Sequence, residues 1–298
     1  MNWTGVLPAI TTNLRANGAI DHAVLAKHCR WMIDSGCRGL VCCGSLGEAA
    51  TLSFDEKIAV VRTAVRAVGK RAPVVLGIAS LSTAEAVALA RAAAKAGCSG
   101  LMVLPPYVYS TDWREMKAHL AAVFRATKLS CMLYNNPPAY KTDYLPEQIA
   151  ELATEFPTLH AVKESSGDVR RVTALRAILG NRLTILVGMD DAILEGVRMG
   201  AQGWIAGLVN AFPRETVALF DAAVRGDDAR ADALYRWFLP LLRLDTVPKF
   251  VQYIKWIQAE VGRGTATVRG PRLALDGAEL AATKKILARA LATRPRLT

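Results

Sequence analysis

The sequence predicts an eight-stranded (β/α)₈ barrel followed by a helical extension. Three observations carry this. Short apolar runs, almost free of charge, recur at intervals of roughly 25–40 residues, as expected of strands buried on both faces of a parallel sheet. Between them lie helix-length segments with apolar residues at three- and four-residue spacing. Eight such pairs fit in the first 226 residues of 298, the arrangement that closes a parallel barrel.

The runs, in order, are 5–10 (GVLPAI), 39–43 (GLVCC), 73–78 (PVVLGI), 100–104 (GLMVL), 130–134 (SCMLY), 159–163 (LHAVK), 183–187 (LTILV) and 203–206 (GWIA). Several intervening helices carry start signals. Ser53 with Glu56, Ser82 with Glu85 and Asp112 with Glu115 have the capping-box pattern, and Pro146 and Pro213 suit a first helical turn. Gly36, Gly69, Gly97, Gly180 and Gly200 are placed to stop helices. A doubly wound open sheet is the alternative, but it wants a Gly-rich phosphate fingerprint after the first strand, and VLPAITTNLRANG has none. Residues 227–298 show no strand signal. Helices are expected near 228–242, 248–261 and 276–292, packed on the side of the barrel, so that 1–226 and 227–298 form one domain. The loop 262–271, GRGTATVRGP, reads as the least ordered stretch.

With 52% hydrophobic residues, the chain can bury a large core. No apolar run reaches membrane-spanning length, and the N-terminus MNWTGVLPAITTN lacks the pattern of a signal peptide. The six cysteines lie mostly in apolar or Ala/Gly-rich stretches, where cysteine acts as a small hydrophobe. They show no zinc spacing, and reduced thiols in a cytoplasmic protein are the plain reading. Of the four histidines, His22, His28 and His119 fall on helices among polar neighbours and are expected to be solvated. No metal is expected. The net charge of +11 is scattered over many helices and never alternates with aromatics, which argues against nucleic acid and for a field that favours a small anion.

In such a barrel, functional groups sit at the C-terminal ends of the strands. The second strand ends in Gly44-Ser45-Leu46-Gly47-Glu48, the fourth in Pro105-Pro106-Tyr107 and the fifth in Tyr134-Asn135-Asn136-Pro137. The sixth ends at Lys163, and the seventh in Gly188 followed by Asp190-Asp191. A lysine at the end of an apolar strand is costly to bury. Once desolvated it loses its proton readily and attacks carbonyls and imines. A tyrosine on the adjacent strand end could shuttle protons for that chemistry, and a Gly-Ser-x-Gly turn offers a hydroxyl and backbone N–H groups for a carboxylate. Each feature also has a plain structural reading: a lysine snorkelling into water, a strand-end tyrosine with a wet hydroxyl, glycines serving a tight turn. Their joint placement at successive strand ends favours a site.

Taken in order, GSLGE, YNNP and VKESSGD resemble the dihydrodipicolinate synthase/N-acetylneuraminate lyase family over nearly the whole chain. The resemblance implies a (β/α)₈ barrel, usually tetrameric, that forms a lysine Schiff base with a 2-keto acid and requires no cofactor. It implies Lys163 as the Schiff-base lysine and Tyr134 as the proton shuttle. Ser45 takes the place of a hydroxyl residue that binds carboxylate and relays protons. Tyr107 matches a tyrosine that reaches a neighbouring subunit's site, and Ile205 a residue whose backbone lies near the keto acid. Gly44, Leu46 and Gly188 complete the expected substrate-binding set.

Two departures bear on substrate. Ala139 stands where synthases of this family carry a carboxylate-binding arginine, and Ser45-Leu46 stands where they have two threonines. The combination YNNPPAYKTD, VKESSGDVRR, GMDDAILEGV and PLLRLDTVPKFVQYIK looks closest to one subgroup, the 1-pyrroline-4-hydroxy-2-carboxylate deaminases of bacterial hydroxyproline breakdown. That resemblance implies a cyclic imino acid as substrate, with ammonia and 2-oxoglutarate semialdehyde as products. A dihydrodipicolinate synthase, or a related keto-acid or sugar-acid aldolase or dehydratase, is the alternative enzyme. A keto-acid-binding protein without turnover is the alternative of another class.

Overall fold

The computed structural model describes residues 1–106 and 112–297. Strands and helices alternate from the start. The first half runs β1 (Gly5–Pro8), α1 (His22–Asp34), β2 (Leu40–Cys42), α2 (Phe54–Val68), β3 (Val74–Ile78), α3 (Thr83–Lys95), β4 (Gly100–Val103) and α4 (Trp113–Arg125). Next come β5 (Ser130–Asn135), the single turn α5 (Pro137–Tyr140), α6 (Pro146–Glu155), β6 (Leu159–Glu164), α7 (Arg170–Leu179), β7 (Thr184–Val187), α8 (Ile193–Arg198), β8 (Gly203–Ala206) and α9 (Pro213–Arg225). All pairings are parallel, in the order β1-β8-β7-β6-β5-β4-β3-β2. Ala9 bridges Val41 in parallel, and Ile10 N–H donates to Val41 O at 3.0 Å, bringing the first and second strands together to close the barrel.

Every strand falls on an expected run, because nearly all its residues are buried and a strand covered on both faces must be apolar throughout. The helix signals act as their chemistry requires. Ser53 Oγ accepts from Glu56 N–H while Glu56 accepts from Ser53 N–H, a reciprocal box. Ser82 and Asp112 accept from the N–H three residues on.

Beyond the barrel come α10 (Asp228–Leu242), a 3₁₀ turn (Arg243–Asp245), α11 (Phe250–Glu260) and α12 (Gly277–Ala292). Helix α10 packs on α9 and α12, with Phe238 edge-on to Phe212 at 5.8 Å. The extension does more than pack on the side, however. The chain between α10 and α11 crosses the barrel mouth, where Asp245–Pro248 and Phe250 line a cavity. The loop expected to be least ordered is tied down. Arg269 donates to Gly18 O and Thr51 O and pairs with Glu56. Among the described residues no helix is long and apolar enough to cross a membrane.

The expectation of solvated histidines fails for two of three. His28 and His119 are each 3% exposed. His28 Nε2 lies 2.8 Å from Asn210 Oδ1, and burial lowers its pKa to about 4. The polar residues beside these histidines face away on the helix, and the partner is far off in sequence, so a local reading misjudges them. All six cysteines are buried thiols.

Candidate active site

The candidate site is built from strand ends. Tyr134 on β5 and Lys163 on β6 are partners in the parallel register, so their side chains leave the sheet together. Lys163 is 6% exposed, and its Nζ lies 3.9 Å from the centre of the Tyr134 ring. Desolvation lowers its pKa to about 8, against the opposing pull of Asp245 and Asp190. Gly188, after β7, makes room for it: a β-carbon there would stand 2.4 Å from Lys163 Cε.

The Tyr134 hydroxyl accepts from Asn136 Nδ2 at 2.9 Å, and burial pushes its pKa up to about 12. It is therefore a neutral phenol at neutral pH. Its ring meets Tyr140 edge-on, 5.9 Å between centroids. The Tyr140 hydroxyl is hydrogen-bonded to Ser45 Oγ, so one turn after β5 joins the turn after β2.

That second turn is tightly held. Gly47 has no space for a side chain, since a β-carbon would lie 3.0 Å from Ile10 O. Glu48 adopts a left-handed φ of 59° and is buried. Its carboxylate pairs with the buried Lys255 Nζ at 2.6 Å and accepts from Arg269 N–H at 3.0 Å, while Arg272 stands 3.8 Å away. Lys255 also donates to Thr12 O. Helix α11 and the loop after it thereby fix the turn that presents Ser45 and Leu46.

Gly44, Ser45, Leu46, Tyr134, Lys163, Gly188 and Ile205 line one cavity of about 520 Å³. Seven of the eight expected residues are thus brought together. The eighth, Tyr107, lies outside the described residues. Four neighbours escaped sequence reasoning. Tyr140 and Asp245 line the cavity. Ser165 Oγ is buried beside Lys163, 2.0 Å from where a Gly188 β-carbon would be, and bears on the Tyr134 hydroxyl, whose pKa it lowers against the effect of burial. Asp190, named only as following strand seven, is fully buried and accepts from Trp204 Nε1, Gly207 N–H and Leu208 N–H. For Ser165 a signal existed: two residues after Lys163, it shares that strand face.

Such an arrangement suits nucleophilic amine chemistry: a desolvated lysine, a phenol against it, and a hydroxyl-bearing turn across the cavity. The model of the dihydrodipicolinate synthetase family matches residues 2–290. The 4-hydroxy-tetrahydrodipicolinate synthase of Mesorhizobium japonicum is 34% identical over 272 residues, 91% of this chain and 93% of that protein. The synthase so named from Sorangium cellulosum is 36% identical over 269 residues, covering 90% and 89%. The solved structure of the 4-hydroxy-tetrahydrodipicolinate synthase from Methylacidiphilum fumariolicum superposes with a TM-score of 0.94 at 30% identity, covering 98% of this chain and 97% of that one. Barrel, site geometry and these matches agree: the chain belongs to the dihydrodipicolinate synthetase family, a family of enzymes.

Proposed function

We propose that the protein is a Schiff-base lyase that deaminates 1-pyrroline-4-hydroxy-2-carboxylate. The observation that carries this reading is the charge of the cavity wall. Ala139 faces the cavity where synthases of the family have an arginine. Among the described residues lining it, the only cations are Lys163 and Arg272, and Arg272 sits beside the Glu48 carboxylate. A substrate with one carboxylate needs no further cation. A second carboxylate would lack an arginine pair, a contact of about 1.5–3 kcal/mol.

In this reading neutral Lys163 attacks C2 of the cyclic imine, and the C2–N bond opens to leave an amine on C5 and a Schiff base on Lys163. Tyr134, having given its phenolic proton to the ring nitrogen as the C2–N bond opens, takes a proton from C3 as the phenolate, the Schiff base accepts the electron pair, and the C4 hydroxyl leaves as water. Hydrolysis then releases ammonia and 2-oxoglutarate semialdehyde. Ser45, held by Tyr140, and the turn around it bind the carboxylate. The protein acts as a cytoplasmic homotetramer in which Tyr107 serves the neighbouring subunit's site. Sizing with a parallel activity assay tests that assembly, and an active monomer would refute it.

The synthase reading is favoured by the names of the relatives. Two substrate sets separate the readings: the hydroxylated pyrroline with ammonia detection, and pyruvate with aspartate semialdehyde. Ammonia release, abolished in Lys163→Ala, is expected. Turnover of the second set alone would retire the deaminase. Absence of any borohydride-trapped adduct on Lys163, with pyruvate or with the imine, would retire both.

A further inference from the structure

The segment crossing the barrel mouth carries one ionisable group into the cavity. Asp245 ends the 3₁₀ turn after α10 and lines the same cavity as Lys163, Tyr134 and Ile205. It is part-exposed, and its open side is that cavity. Its carboxyl presses on Gly207, where a β-carbon would stand 2.1 Å from Oδ1. The N–H of Gly207 points instead to Asp190. Two carboxyl groups therefore flank one glycine at the end of β8, and they are not equivalent. Asp190 is fully buried, which raises its pKa to about 6, and it accepts from three N–H groups that oppose this and favour its anion. Asp245 has one backbone donor, the N–H of Asp190, and stands close to that anion.

Burial and then the charge of Asp190 raise the pKa of Asp245 well above the carboxylate range, with Asp191 adding to the effect and Lys163 opposing it. Burial lowers that of Lys163. Both directions favour a neutral amine and a neutral carboxyl over an ion pair, since burial disfavours the charged form of each. The structure thus places a carboxyl that holds its proton more tightly than usual on the same cavity as an amine that gives its proton up more readily than usual, and that carboxyl has no part in the steps already given.

We propose that Asp245 is a catalytic acid that delivers its proton to the oxygen on C4 of the substrate. The inference rests on the Schiff-base reading of Lys163 and deepens it. Once the C3 proton is lost, the C2=C3 enamine pair moves to form C3=C4 and the C2=N iminium returns. The C4–O bond breaks, and the oxygen takes the Asp245 proton to leave as water. The Asp245 carboxylate then takes a proton from C5, giving a dienamine and restoring the acid. No oxidant or reductant is needed. In the synthase reading the same carboxyl protonates the C4 alkoxide as the C3–C4 bond forms, so the assignment holds for either reaction.

The test compares the full-length wild type with Asp245→Asn. Borohydride trapping of pyruvate on Lys163 is expected to stay within about threefold. Turnover of whichever set the wild type uses is expected to fall by about 10²–10⁴-fold in kcat with little change in KM. If that set is the hydroxypyrroline, the loss should shrink to under about tenfold with the 4-fluoro analogue, because fluoride departs unprotonated. Should Asp245→Asn not fold, Asp245→Ala takes its place, with activity restored by added formate. Turnover of Asp245→Asn within tenfold of wild type overturns the proposal, as does an undiminished loss on the fluoro analogue or a parallel loss of trapping. Wild-type synthase activity without ammonia release retires the deaminase reading alone, and the Asp245 comparison is then read on the synthase pair. A wild type inert toward both sets overturns both.

Discussion

Gly188→Ala adds one methyl group at the end of β7, and the structure says where the strain goes. The new carbon would stand 2.0 Å from Ser165 Oγ, 2.4 Å from Lys163 Cε and 2.8 Å from Lys163 Cγ. Carbon–carbon contacts settle near 3.5–4.0 Å, so Cε must retreat by more than about 1 Å. The backbone cannot yield easily, because Gly188 N–H is bonded to Glu164 O at 2.9 Å. The lysine is the long, flexible partner, and it moves. A misplacement of about 1 Å costs about 10²-fold in rate, while overpacking costs about 1–3 kcal/mol of stability. Gly196→Ala is the matched control. Its β-carbon would lie 2.3 Å from Val187 Cγ2, crowding the same strand without touching the lysine. Chemical denaturation and the rate of borohydride-trapped pyruvate adduct should both be measured. Both variants are expected to lose about 1–3 kcal/mol, and only Gly188→Ala to lose about 10²-fold in trapping. Wild-type trapping in Gly188→Ala, or an equal loss in Gly196→Ala, would refute this account of the glycine.

Other perturbations read other parts of the site. With a Lys163 pKa of about 8, the amine is protonated below that pH, so trapping should rise with pH and level off above about 8. A profile still climbing at pH 10 would mean an ordinary, solvated lysine. Tyr134→Phe keeps the ring against Lys163 and Tyr140 and removes only the hydroxyl. Turnover should fall by about 10²–10⁴-fold at unchanged denaturation midpoint, and near-normal turnover would exclude it from proton transfer. Lys255→Met strands the Glu48 carboxylate in a buried site, at an expected cost of about 3–5 kcal/mol. Adding Glu48→Leu should recover part of that loss, and simple additivity of the two variants would show that the pair is not coupled.

How much of this was legible in the sequence depended on whether a residue announces itself locally. The eight strands did, because burial on both faces leaves a run of Val, Ile, Leu and Cys with no charge. Lys163 and Tyr134 did also, as polar residues ending such runs on neighbouring strands. What stayed hidden are partnerships across the chain. Glu48 reads as the last residue of a turn until Lys255, 207 positions away, is seen against it. His28 looks solvated until Asn210 meets it. Asp245 sits in PLLRLDTVP, a stretch that carried a family resemblance but no role for the aspartate, because its meaning comes from a chain reversal that lays it over Gly207. Ala139 was legible as a departure from a family pattern, whereas Tyr140 beside it was not, since a tyrosine after two prolines also suits a simple turn.

The charge logic of the cavity ties these residues together. Asp190, buried behind the cavity, accepts from three N–H donors, and the Arg272 guanidinium on the cavity wall stands 3.8 Å from a Glu48 carboxylate that already pairs with Lys255. A substrate carboxylate thus meets the neutral donors around Ser45, with Arg272 on the cavity wall and the field of the basic protein as a whole adding to the attraction. An ionised Asp245 would oppose such a ligand by about 3 kcal/mol at a separation of roughly 5 Å, or about 10²-fold in affinity. Binding of an anion and protonation of Asp245 therefore favour each other. By linkage, the substrate's own charge keeps the acid in its working form until the C4 oxygen takes the proton. The same repulsion, without an arginine at position 139 to offset it, falls on any second carboxylate that enters.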